Sequence, residues 1–149
     1  MKKIFKNNIF IIFITFIIPS SIAFLTRDSF HIYKELLLPK YAPPSYLFPV
    51  AWSILYLLMS IAYIFVKENN KCSIIYYFQL ALNALWTPIF FMFNNYLFAF
   101  VELIVLLLSV IYMTYLFYIE NNKTIFLLMP YILWLLFASY LNYFVYLYN

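Results

Sequence analysis

Five long apolar runs, separated by short polar breaks, set the first expectation for this chain. They cover approximately residues 8–26, 46–66, 73–93, 96–119 and 124–148. Each is long enough to cross roughly 30 Å of hydrocarbon as a helix, which needs about 20 apolar residues. The pattern predicts an all-α integral membrane protein, residues 1–149 forming one compact five-helix bundle without a soluble domain. Four of the breaks carry Lys, Glu or Asn; only the first is long. The opening Lys2-Lys3, apolar run and Ser20-Ser21-Ile22-Ala23 also fit a secretory signal peptide. Pro19 and the lack of a polar mature segment favour a retained span.

Polar residues inside the runs matter because an unpaired amide in hydrocarbon costs several kcal/mol. At about 100° per residue, Gln79, Asn83, Trp86 and Phe90 fall on one stripe of the third run. That stripe should face protein or a cavity, not lipid, and Pro88 removes a backbone N–H nearby. Two further stripes carry aromatic and small residues: Trp52, Tyr56, Met59 and Tyr63, and Trp134, Ala138, Leu141 and Val145 with Asn142 at its edge. A flat apolar ligand needs aromatic faces, space and a few orienting hydrogen bonds. Glu102, the one carboxylate well inside a span, should face the bundle or a partner subunit. Structural hydrogen bonding and a proton relay are its alternative roles.

The first connection packs Pro39, Pro43, Pro44 and Pro49 into eleven residues, with Tyr41 and Tyr46 between them. Pro fixes φ and restricts its predecessor, so this segment is stiff. It is either an ordinary rigid turn or a cap over a membrane cavity.

Composition sharpens the class. The chain is 68% hydrophobic and 9% charged, outside the range of soluble domains. It has no glycine, which excludes a glycine-rich phosphate loop and GxxxG helix contacts. The net charge of +4 lies in the breaks and the N-terminus, so it reads as an orientation signal and not a nucleic-acid patch. Placing the N-terminus in the cytoplasm puts Lys2, Lys3, Lys6, Lys67, Lys71 and Lys123 inside, and Arg27, Lys34 and Lys40 outside. Cys72 and His31 are single, so neither an intrachain disulfide nor a metal cluster is expected.

Three blocks carry a resemblance: Phe48-Pro-Val-Ala-Trp52-Ser-Ile-Leu-Tyr56, Ala81-Leu-Asn83-Ala-Leu-Trp86-Thr-Pro88-Ile-Phe90-Phe91 and Pro130-Tyr-Ile-Leu-Trp134-Leu-Leu-Phe-Ala138-Ser-Tyr-Leu141-Asn142-Tyr143. Together, in order and with the Pro-rich loop, they resemble the TspO/translocator-protein family of tryptophan-rich sensory proteins, in its bacterial type. The resemblance implies a five-helix bundle, often a homodimer, in a bacterial cell membrane. It implies binding of a tetrapyrrole such as protoporphyrin IX, or another hydrophobic small molecule, as ligand, with no cofactor required. The implied pocket lies near the first loop, lined by the second, third and fifth spans. It contains Trp52, Asn83 and Trp134, with Trp86, Phe90, Ala138 and Leu141 nearby. Family proposals of light-dependent porphyrin breakdown would give Trp52 and Trp134 a catalytic role; sensing and carriage are the other functions open. Tyr46 stands where the family usually has another Trp, and no basic residue follows Lys123. The first departure costs the cap one indole; the second leaves the family's C-terminal cholesterol-recognition pattern, which ends in a basic residue, incomplete, so cholesterol recognition is doubtful.

Overall fold

The computed structural model describes residues 2–149, with side chains described from Asn7 onward. Five long helices form: α1 (Lys2–Leu25), α3 (Leu47–Ile64), α4 (Asn70–Phe91), α5 (Tyr96–Glu120) and α6 (Thr124–Tyr148). A short helix, α2 (Ile32–Glu35), sits in the first connection after a single 3-10 turn at Arg27–Ser29. The first span is apolar from Asn7 to Leu25, and all five long helices have the length and hydropathy of membrane spans. The protein is an integral membrane protein, and every regular element among the described residues is a helix.

Turn chemistry explains where α4 and α5 begin. Without glycine, asparagine supplies the side-chain caps of α4 and α5 and the left-handed backbone. Asn69 accepts from the amides of Lys71 (2.9 Å) and Cys72 (3.5 Å), which starts α4 three residues before the predicted position. Asn95 caps α5 by accepting from Phe98 N at 3.1 Å. Just before it, Asn94 adopts φ 50°, a conformation that Asn tolerates better than most residues. Asn121 accepts from Lys123 N at 3.1 Å in the last turn.

The helices pack in a ring whose order is α1, α3, α6, α5, α4 and back to α1. Consecutive α3 and α4 are therefore not side-by-side neighbours along their length. They meet at the end where their connection lies. There Tyr63 stacks on Tyr76 at 4.0 Å, Phe117 stacks on both, and the Tyr63 hydroxyl donates to Ser73 Oγ at 2.9 Å. Tyr76 also hydrogen-bonds Thr15 of α1. Lys67 Nζ donates to Asn8 Oδ1 at 2.5 Å, and Asn69 donates to Glu120, so polar ties join the rim of this end. Met59, Tyr76, Val110, Met113 and Phe117 are fully buried above it. That end is plugged.

The opposite end holds the first connection and the C-terminal turn of α6. Asn149 fastens them: its Oδ1 accepts from Leu37 N at 2.8 Å and its Nδ2 donates to Leu37 O at 3.1 Å. The Tyr33 hydroxyl donates to Pro43 O at 2.8 Å, and burial raises that phenol above its usual pKa. Tyr33 thus stays neutral and keeps donating. Lys40 lies in this connection and Lys123 at the start of α6, at opposite ends of a 25-residue helix.

Candidate functional site

Between the spread ends of α3 and α4 lies a cavity of about 330 Å³. This is at the lower end of the roughly 300–1,000 Å³ typical of small-molecule sites. Its walls come from four long helices and the first connection. Trp52 and Tyr56 face it from α3, Asn83, Trp86 and Phe90 from α4, and Ala138, Leu141 and Asn142 from α6. Two aromatic pairs give it flat surfaces: Trp52 stacks on Tyr56 at 5.4 Å, and Trp86 on Phe90 at 4.9 Å. Ala138, with its small side chain, leaves room between them.

The polar groups of the wall are held by neighbours. The Tyr56 hydroxyl donates to Asn83 Oδ1 at 2.9 Å, and Asn83 Nδ2 donates to the Tyr131 hydroxyl at 3.2 Å. Tyr131 donates in turn to Gln79 Oε1 at 2.9 Å, and Gln79 Nε2 reaches Met59 Sδ at 3.6 Å. The chain of bonds crosses from α3 to α4, to α6, and back. It satisfies buried amides and hydroxyls that would otherwise be costly in an apolar interior. Higher up, Trp86 Nε1 donates to Asn142 Oδ1 at 3.0 Å, and Asn142 Nδ2 donates to Tyr96 O at 2.9 Å. An amide nitrogen carries two donors and its oxygen two lone pairs, so Asn83 keeps one of each for a ligand.

Gln79, the first member of the polar stripe, lies below the cavity and is fully buried in the network. Pro88 sits inside α4 and does not line the cavity. Trp134 lines a smaller side chamber of about 20 Å³, shared with Phe48, Trp52, Asn83, Trp86 and Ala138 and backed by Leu103 and Leu106. It stands edge-on to Trp52 at 6.3 Å, behind it as seen from the main cavity. Its Nε1 is buried without a partner among the described residues, as are both carboxyl oxygens of Glu102, which faces the bundle from α5. His31 is exposed and pairs its Nδ1 with Asp28 O at 2.6 Å; Cys72 is buried at the plugged end.

The first connection does lie over the cavity, but of the residues its sequence singled out only Pro49 lines it. Pro39 is buried, Pro43 half-buried and Pro44 exposed, yet none of them lines the cavity. Tyr41 and Tyr46 are 76% and 69% exposed and point away from it. The lining is supplied by Phe30, Tyr33, Leu38, Ser45, Phe48 and Pro49. Tyr33 meets Phe48 edge-on at 5.3 Å, and Phe30 meets Phe91 at 4.9 Å. Pro39, Pro43 and Pro44 shape the backbone while Pro49 and the side chains around them make contact.

Sequence reading also missed α1 as a wall. Phe16, Pro19, Ser20 and Ala23 line the cavity at i, i+3, i+4 and i+7 spacing. The small residues Ser20 and Ala23, next to a helix-interior proline, were the available signal. Ser53, Thr87, Phe91 and Val145 complete the walls.

A five-helix membrane bundle, plugged at one end and hollow beneath a Pro-rich connection at the other, is the class that fold and site define. The chain belongs to the TspO/MBR family, whose pattern it matches over residues 10–147. It is 38% identical over 116 residues to the tryptophan-rich protein TspO of Archaeoglobus fulgidus, covering 74% of this chain and 75% of that one. Protein CrtK of Rhodobacter capsulatus is 36% identical over 124 residues, 78% of each chain. The tryptophan-rich sensory protein of Cereibacter sphaeroides is 34% identical over 114 residues, 74% of this chain and 72% of that one.

Proposed function

We propose that this protein is a bacterial membrane sensor that binds a tetrapyrrole of the protoporphyrin IX type in the cavity, with its N-terminus in the cytoplasm and as a homodimer. The observation that carries the ligand reading is the pairing of two stacked aromatic surfaces, Trp52–Tyr56 and Trp86–Phe90, with Asn83 between them. A planar macrocycle is bound by apolar burial worth about 25 cal/mol per Å², by aromatic stacking, and by one or two amide hydrogen bonds to its polar substituents. The name of the Cereibacter sphaeroides relative supports a sensory role. The plugged end argues against passage through the bundle, which leaves carriage the weakest of the three functions.

Light-driven porphyrin breakdown is a second reading, favoured by one geometry: Trp52 on the cavity wall with Trp134 edge-on behind it at 6.3 Å. Trp52 would then be the indole facing the ligand, and Trp134 would act through it. The test is a protoporphyrin IX titration and anaerobic irradiation on the same preparation. The binding reading requires saturable quenching that Asn83→Leu weakens. If Trp52→Phe/Trp134→Phe binds porphyrin but bleaches it much more slowly than wild type, breakdown takes precedence. If wild type does not bleach it, the sensor reading stands.

A further inference from the structure

We infer that the ligand reaches the cavity sideways from the bilayer, through the seam between α1 and α3, and not from the water beyond the first connection. This rests on reading the cavity as a ligand site. Its walls are unequal. Every lining residue of α4 and α6 is buried or half-buried, whereas Ser20 of α1 and Pro49 and Ser53 of α3 are exposed. The opening therefore lies on the α1–α3 side, with Phe30 and Ser45 at its upper rim.

Its depth places it against acyl chains. Ser20 lies five residues before the end of α1 and Ser53 six after the start of α3. At 1.5 Å per residue, each is roughly 7–9 Å inside its apolar span. One turn deeper, Phe16 of α1 meets Tyr56 of α3 edge-on at 5.7 Å and closes the seam below. The side chains at the opening are short and make no barrier. Ser53 turns its hydroxyl back to Pro49 O at 2.8 Å, which hides its donor from hydrocarbon.

The water-facing route is fastened instead. Asn149 grips both backbone groups of Leu37, Tyr33 bonds Pro43, and Phe30 and Tyr33 pack on Phe91 and Phe48. Lys34, Glu35 and Lys40 of this connection all stay outside the cavity lining. An apolar macrocycle partitions into lipid, so a side opening meets it where it is concentrated. A cavity of this volume would also leave one edge of a tetrapyrrole in the seam.

The test compares two crosslinks in a Cys72→Ala background in nanodiscs. Ser20→Cys/Ser53→Cys is bridged with a short reducible bis-thiol reagent, and Leu37→Cys/Asn149→Cys likewise. Protoporphyrin IX association is followed by stopped-flow fluorescence. The seam crosslink should slow association at least about ten-fold and reduction should restore it, while the loop crosslink changes it by less than about two-fold. Association at the unbridged rate across a bridged seam, or a ten-fold loss with the loop bridged, overturns the inference. Thermal unfolding of each bridged sample identifies any misfolded variant. For a variant that does not fold, the wild-type rate is measured against porphyrin mole fraction in the lipid at fixed aqueous concentration. A rate that follows the lipid content supports side access, and one that ignores it overturns the idea. If the uncrosslinked protein binds no protoporphyrin IX, the tetrapyrrole reading fails separately, and a small lipid-partitioned fluorophore that binds the cavity makes the same rate comparison.

Discussion

Replacing Asn83 by Leu should weaken ligand binding and loosen the bundle, and a second substitution separates the two effects. Asn83 accepts from Tyr56 and donates to Tyr131 while lining the cavity. Leucine removes both bonds and leaves the buried Tyr56 hydroxyl without its acceptor. An orphaned buried donor costs about 1–3 kcal/mol, although polar ties between membrane helices average nearer ~0.6 kcal/mol. A stability loss of about 1 kcal/mol is therefore expected, visible as a lower thermal midpoint in detergent. If the free amide N–H also serves the ligand, affinity for protoporphyrin IX falls by roughly 5- to 150-fold, the equivalent of 1–3 kcal/mol. Tyr131→Phe is the control. Tyr131 is fully buried, lines neither cavity, and shares the same network through Asn83 and Gln79. Its loss should lower the midpoint to a similar extent while changing affinity by less than about three-fold. Fluorescence titrations and thermal scans on the same nanodisc samples read both quantities. Equal affinity losses in the two variants, or none in Asn83→Leu, would show that Asn83 only ties helices together.

The other expectations concern elements farther from the ligand. Glu102→Leu removes a buried carboxyl that has no hydrogen-bond partner among the described residues, so it should keep or raise stability, by up to about 1–3 kcal/mol; a lower thermal midpoint would reveal a partner for it. Trp52→Phe/Trp134→Phe should retain porphyrin binding within about ten-fold, a loss of 1.4 kcal/mol, as the two rings stay in place. A loss well beyond about ten-fold in quenching titrations would assign the indole N–H groups to binding. Single cysteines at Lys40 and Lys123 should label from opposite faces of sealed vesicles, with Lys123 accessible from the cytoplasmic face. Labelling of both from one side would contradict the ends that α6 gives them.

Hydropathy and length alone determined the five spans, because backbone hydrogen bonds in hydrocarbon must close within each helix. Asparagine lies in the last three breaks, and there it supplies the caps of α4 and α5 and the left-handed turn at Asn94. The polar stripe of α4 was legible too: amides in a span must find partners, and Gln79, Asn83 and Trp86 all do. The packing order was not legible. Lipid is as apolar as the bundle core, so Leu103 and Leu106, buried, look in sequence like Val105 and Leu108, exposed. Only tertiary packing set α3 beside α1 and α6, apart from α4, and thereby made α1 a wall and placed Trp134 behind Trp52. The same holds for the first connection. Its prolines announced stiffness, but backbone stiffness does not say which way a side chain points. Tyr41 and Tyr46 face outward, while Phe30, Tyr33, Phe48 and a clamp from Asn149 hold the connection over the cavity, because those residues find partners there.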